Sequence, residues 1–233
     1  VHTVLSRWLE IRDHLAYDCL GGPRPFTAAL VINVQKGGTL PFVLWLMWHH
    51  DVWSPTAWSY LALHGGYGLL WLLKDRWFPD PAWERRVTVA GALLMLATVL
   101  GPYWLAPWLL VSRDVTQPTW VLVAAGVGWL VGVVTMLGAD AQKHRTLRRR
   151  PGLITTGWFA RVRHPNYLGE MLVYGSFAVL ANHWAPWAVL AVVWGGVFLP
   201  NMLRKESRMA RHPEWPAYVR RTGFLLPRIR TRP

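Results

Sequence analysis

The chain has 233 residues, 53% of them hydrophobic, 17 of them Trp and only 16% charged, where a soluble domain carries about a quarter. That balance excludes an ordinary water-solvated globule, and a single cysteine, Cys19, excludes an internal disulfide and any multi-cysteine metal site. The net charge of +13 suits phosphates, but its cations lie in loops between apolar segments, a topology pattern that argues against a nucleic-acid partner.

Residues 1–18 read as a charged amphipathic segment, with Val4, Leu5, Trp8, Leu9, Ile11 and Leu15 apolar, lying on the membrane surface. Six segments follow that reach, or nearly reach, the length needed to cross about 30 Å of hydrocarbon, roughly 20 helical residues. They lie near 27–48, 55–73, 87–111, 118–139, 166–181 and 186–203. Trp residues such as Trp45, Trp48, Trp104, Trp108, Trp184 and Trp187 cluster at their ends, as interfacial belts do. The expected fold is all-α: a polytopic membrane protein of about six transmembrane helices, with amphipathic N-terminal and C-terminal segments. No long polar linker divides the chain, so 1–233 reads as one integral-membrane domain.

Loop charge tests this assignment independently. The N-terminal segment, the 74–86 loop, the 140–165 loop and the tail after 203 are rich in Lys and Arg, whereas the loops near 49–54, 112–117 and 182–185 hold only Arg113. Such alternation places both termini in the cytoplasm by the positive-inside rule. His49-His50-Asp51 then falls on the outer face, where three consecutive residues converge poorly on one ion, and no metal is expected. Gly101-Pro102 and Pro107 predict a kink or break in the third span, because Pro removes a helical donor and clashes with the preceding turn. The Gly-rich stretch 126–132 lacks the strand-turn-helix setting of a nucleotide fingerprint and is expected to pack closely instead.

Chemistry concentrates in Arg163-His164-Pro165-Asn166-Tyr167-Leu168-Gly169-Glu170, preceded by Asp140-Ala141-Gln142-Lys143-His144-Arg145. Pro165 disfavours helix at His164 and suits the first helical turn. The amides near Asn166 and Tyr167 are then open donors, a natural seat for phosphate. A topological signal needs only charge, not His, Asn and Tyr at this spacing.

The segment resembles the C-terminal signature of an integral-membrane superfamily. Its members include isoprenylcysteine carboxyl methyltransferases, phospholipid methyltransferases, steroid 5α-reductases and sterol reductases. The resemblance covers residues 138–228 and takes in Lys205-Glu206, Trp215 to Tyr218 and Pro227. It implies a cofactor-binding C-terminal half, 118–233, and variable substrate-side helices over 1–117. The Arg-His-Pro-x-Tyr-x-Gly core occurs with both NADPH and S-adenosylmethionine. Gln142-Lys143 with Arg145 and Arg148 is similar to the Asn-x-Gln-Lys element of the sterol reductases, whose cations pair with cofactor phosphates. Asp140 stands where those enzymes have Asn, as in the broader bacterial reductase-like group.

Arg forks and Lys also suit the phosphates of NADPH. The methyltransferases generally carry paired acids where Lys205-Glu206-Ser207 offers one. These points favour NADPH-dependent reduction of an activated C=C bond in a steroid-, isoprenoid- or lipid-like substrate. An S-adenosylmethionine-dependent methyltransferase of a lipid or prenylated acceptor remains the alternative, as does a non-catalytic subunit of a membrane complex. The expected cofactor contacts are Gln142, Lys143, Arg145, Arg148, Trp158, Arg163, His164, Asn166, Tyr167 and Glu206. Glu206 equally suits a pair with Arg204 or Arg208, and Trp215 and Tyr218 suit closing over the cofactor or, as the default, anchoring of the tail at the interface.

In the N-terminal half, Tyr67 is the candidate proton donor, with His64 nearly a helical turn before it; ionisable groups inside a span are costly and often functional. A hydrogen-bonded helix contact is the plainer alternative for both. Asn33, Gln35 and Lys36 form a second polar island, lining a substrate cavity or letting Lys36 snorkel to the interface.

Overall fold

The computed structural model describes residues 2–228; Val1 and residues 229–233, the end of the basic tail, lie outside the described residues. Helices dominate: α1 (His2–Tyr17), α2 (Ala28–His50), α3 (residues 55–77), α4 (Val89–Ser112), α5 (Thr119–Arg149), α6 (Pro165–Ala181), α7 (Trp184–Met209) and α8 (Trp215–Arg221). A two-residue antiparallel ribbon, β1 (Phe26–Thr27) with β2 (Arg86–Val87), ties the entry of α2 to the entry of α4. Hydroxyls start three of the long helices: Thr27, Ser54 and Thr88 accept from Leu30, Ala57 and Gly91 N–H, satisfying donors that a first turn leaves open.

Among the described residues four helices, α2, α4, α5 and α7, are long and apolar enough to cross a membrane. The chain is an all-α integral membrane protein. The other two expected spans are helical but differ physically. α3 carries His64, Lys74, Asp75 and Arg76, and α6 has 17 residues with Glu170 among them. Much of α6 is enclosed by its neighbours, so it needs less apolar surface for lipid.

The helices bend where backbone donors are lost. α4 passes through a π turn (Leu96–Leu100) and a 3-10 turn (Gly101–Trp104), the break expected at Gly101-Pro102. In α7, Pro200 has no N–H to offer the Gly196 carbonyl, which lies just after a π turn begins at Trp194. The Trp8 indole donates to that carbonyl at 2.9 Å instead. Arg12 donates to Asn201 at 2.8 Å and Asp13 pairs with Arg204 at 2.9 Å. The amphipathic N-terminal segment is therefore a helix stitched along α7, with Val4, Trp8, Ile11 and Leu15 still exposed outwards.

α5 packs backbone to backbone against α6. A Cβ on Gly132 would sit 2.6 Å from the Gly169 carbonyl, and one on Gly169 2.5 Å from the Gly132 carbonyl, so the backbones touch. α2 and α3 meet the same way, with Gly68 against the Lys36 carbonyl. Beyond α8 the chain turns back beside the signature loop: Gly223 and Phe224 carbonyls accept from Arg163 and His164 N–H at 2.9 and 3.2 Å. Tyr218 is buried, not an interfacial anchor, and its hydroxyl donates to the Phe159 carbonyl at 2.8 Å.

Candidate functional site

His164 lies outside the helical conformation, at φ −125° and ψ 55°, and Pro165 opens α6, with no side chain capping its first turn. The amides of Asn166 and Tyr167 therefore have no helical acceptor. Arg163 is 8% exposed, donating from Nε to Glu206 at 2.5 Å and from Nη1 to the Thr222 carbonyl at 2.9 Å. His164 is 2% exposed, with Nε2 3.1 Å from the same carboxylate oxygen. Burial holds the His164 imidazole below its usual pKa, and Glu206 offsets this only in part. Glu206 is thus the clasp of Arg163 and His164, not a partner of Arg204 or Arg208.

From this mouth one face of α6 runs inwards through Tyr167, Glu170, Tyr174 and Phe177, spaced three or four residues apart as a helix face requires. The Lys205 ammonium lies 4.6 Å above the Tyr167 ring. Glu170 accepts from the Tyr67 hydroxyl at 3.5 Å, and Tyr67 also reaches the Met136 sulfur. Tyr174 accepts from Lys36 Nζ and stacks on Tyr103 at 4.1 Å. Phe177 stacks on His64, whose Nδ1 lies 2.9 Å from the Tyr60 hydroxyl. His64 occupies a π turn (Leu61–Gly65), a local widening that often accompanies function.

Lys36 is 4% exposed, with the rings of Tyr67, Trp71 and Tyr174 4.5–4.7 Å from its ammonium. It does not snorkel to the interface. Above it, Lys74 pairs with Asp140 at 3.1 Å beneath Trp71 and Trp83, which stack on each other. Lys143 pairs with Asp80 at 3.0 Å. Burial tends to raise the Asp80 pKa, but Lys143 and the Ala82 N–H together hold it below the usual value.

A second group of predicted residues gathers elsewhere. Gln142 donates to the Thr156 carbonyl and accepts from the Trp158 N–H, both at 2.9 Å. The Trp158 indole covers Gly138, and Gly157, at φ +60°, lies against the Gln142 amide. These residues and Arg145 line an open cleft of about 510 Å³. Arg148 is exposed near the end of α5, and Asn166 is half-buried. The structure therefore brings Arg163, His164, Tyr167 and Glu206 together, sets Gln142, Arg145 and Trp158 in a separate cleft, and leaves Arg148 apart. Sequence reasoning passed over Glu170 and Tyr174 as site residues, although they follow Tyr167 at helical spacing. It also missed the Lys74–Asp140 pair, which no local pattern announces.

Residues 75–221 match a family described as "Protein of unknown function (DUF1295)". The chain belongs to the DUF1295 family. That family is steroid 5α-reductase-like and places the chain in the reductase-like membrane superfamily. Among curated proteins, this DUF1295 chain is similar to a Delta(14)-sterol reductase from Methylotuvimicrobium alcaliphilum, 26% identical over 149 residues, covering 54% of this chain and 35% of that protein. It is also similar to the cobalt-zinc-cadmium resistance protein CzcN from Cupriavidus metallidurans, 31% identical over 84 residues, covering 35% of this chain and 38% of that protein. The chain thus spans little more than a third of the length of these relatives.

Proposed function

We propose that this protein reduces an activated carbon–carbon double bond in a hydrophobic substrate within the membrane, with NADPH as cofactor. The observation that carries the reading is the polar face of α6. It joins the signature residues at the mouth to an ionisable, aromatic interior through Tyr167, Glu170 and Tyr174. Likeness to a sterol reductase supports the same direction.

The residues fit a phosphate-bearing dinucleotide. The first turn of α6 is uncapped, Arg145 and Arg148 are exposed, and the Asn166 side chain makes no hydrogen bond among the described residues. In this reading Gln142, Lys143, Arg145, Arg148, Trp158, Asn166 and Tyr167 hold the cofactor. Arg163, His164 and Glu206 fix the loop that receives it. When bound, NADPH supplies hydride. Tyr67 holds a proton beside Glu170, and His64 orients the neighbouring Tyr60. The reading keeps both termini cytoplasmic, with α3 and α6 completing six crossings.

One observation favours methyl transfer instead: Lys143 and Arg163 are already neutralised by Asp80 and Glu206, leaving fewer cations for phosphates. Thermal unfolding of the purified protein in detergent separates the readings, because selective binding to the native state raises apparent stability. NADPH and NADP+ are expected to protect, and S-adenosylmethionine and S-adenosylhomocysteine are not. Protection by S-adenosylhomocysteine alone would replace reduction with methyl transfer. No protection by any of the four, with co-purification in an assembly, would make the chain a non-catalytic subunit.

A further inference from the structure

Two lysine–aspartate pairs at the cytoplasmic end of the bundle differ in kind. Lys74 and Asp140, 3.1 Å apart, join α3 to α5 with side chains only 5% and 15% exposed, so parting them would leave buried charges without a partner. Lys143 and Asp80, 3.0 Å apart, are 32% and 28% exposed, and a pair so open to water holds weakly. Asp80 also belongs to no long helix. It lies in the 78–85 connection between α3 and β2, where its other carboxylate oxygen accepts the Ala82 N–H at 3.1 Å and caps a single 3-10 turn, Pro81–Trp83. Trp83 of that turn stacks on Trp71, with the Lys74 ammonium 4.8 Å from its ring. Lys205 of α7 is half-buried and has no carboxylate in ion-pair contact among the described residues, although Asp80 and Asp140 attract it, and Lys143 repels it, from longer range. Its ammonium lies above the Tyr167 ring, and the Tyr167 hydroxyl makes no hydrogen bond among the described residues.

We propose that the Asp80 carboxylate occupies the seat of a ligand's phosphate monoester, which displaces it from Lys143 and is then held by Lys143 and Lys205 together. The charges set the direction of this exchange. A carboxylate brings one negative charge, whereas a phosphate monoester brings about −1.5 to −2 at pH 7 and three acceptor oxygens. A singly charged phosphodiester would only replace Asp80 like for like. A dianion satisfies both lysines at once, and Asp80, carried on a loop, is released to water. Asp80 is thus a built-in competitor that keeps Lys143 neutralised, and the Trp83 turn anchored, until a stronger anion arrives. The bearer of the monoester, the 2′-phosphate of the cofactor, follows from the NADPH reading; the exchange itself depends on these residues alone.

Hydrogen exchange of the 78–85 amides, followed by mass spectrometry on the full chain in detergent, reads the release of the loop. The Trp83 and Glu84 amides bond to the Asp80 and Pro81 carbonyls within the turn. NADP+ is expected to speed their exchange, as is inorganic phosphate against chloride at equal ionic strength, and NAD+ is not. Asp80→Asn, which keeps an oxygen for the Ala82 N–H, should exchange fast from the start and bind NADP+ about threefold tighter by calorimetry, the scale of an exposed ion pair. Glu84 is exposed on the same loop; Glu84→Gln removes the same charge without freeing Lys143 and should match the parent in both measurements. Lys205→Met should weaken NADP+ about tenfold, the scale of a hydrogen bond to a charged group, and leave NAD+ unchanged. Should Asp80→Asn fail to fold, exchange in the parent protein decides alone. Loop exchange indifferent to both NADP+ and phosphate, or equal effects of Asp80→Asn and Glu84→Gln, overturns the inference, and NADP+ binding under those results would leave the NADPH reading standing. Release by inorganic phosphate with no binding of NADP+ would overturn the NADPH reading alone.

Discussion

Glu206 holds two residues of the signature with one carboxylate oxygen, at 2.5 Å from Arg163 and 3.1 Å from His164. Glu206→Gln keeps the shape but leaves the Arg163 guanidinium, 8% exposed, without its anion. The expected loss is about 2 kcal/mol, the scale of a hydrogen bond to a charged group, read from denaturant unfolding in detergent; an unchanged midpoint would show the clasp to be dispensable. The polar character of the Arg163–Glu170 segment is legible from its residues, but this pairing is not. Arg204 and Arg208 are nearer in sequence and equally suited by charge. The choice among them is made by the return of the tail and the placement of α7 beside the loop. Lys36 repeats the lesson. Its polarity is visible in an apolar span, yet the ring that encloses it comes from α3, α4 and α6 together.

At the scale of elements, glycine position decides what a helix can touch. Gly132 lies against the Gly169 carbonyl, whereas a Cβ on Gly126 would meet nothing within 4 Å. Gly132→Ala is therefore expected to destabilise by about 1–3 kcal/mol, the usual cost of forcing extra atoms into a filled contact. Gly126→Ala should be neutral or stabilising by up to about 1 kcal/mol through helix propensity. Thermal unfolding of both variants checks the contrast, and equal effects would contradict the backbone contact. The sequence announces a close-packing stretch over 126–132 but not which glycine makes the contact, since that depends on the rotation of α5 about its axis. The break at Gly101-Pro102 is readable because proline acts on its own helix. α6 falls short of a clear span because it has only 17 residues, Glu170 among them, and neighbouring helices enclose much of it.

At the scale of the whole molecule, orientation rests on the alternation of cationic and nearly neutral loops. Cys19 is the only cysteine in the chain and lies half-buried after α1, on the side assigned to the cytoplasm. A membrane-impermeant maleimide should label it in inverted vesicles and not in right-side-out ones, and Asp114→Cys in a Cys19→Ser background should reverse the pattern. The opposite result would invert the topology. The bundle's membrane character and helix order are legible because lipid imposes strong constraints on composition. The site is less so, because it is built from residues scattered over α2, α3, α5, α6 and α7.

The strand-like return of Gly223 and Phe224 beside Arg163 and His164 carries a consequence for biogenesis. A ribosome that has delivered α6 has already made the whole Arg163–Glu170 segment, but not the residues that fix its shape. Nascent chains must wait for α7, α8 and the turn beyond them before the loop is clamped. The loop at the head of α6 thus takes its clamped shape only after α8 and the turn beyond it have been made, and a shorter nascent chain carries the recognisable motif without that clamp.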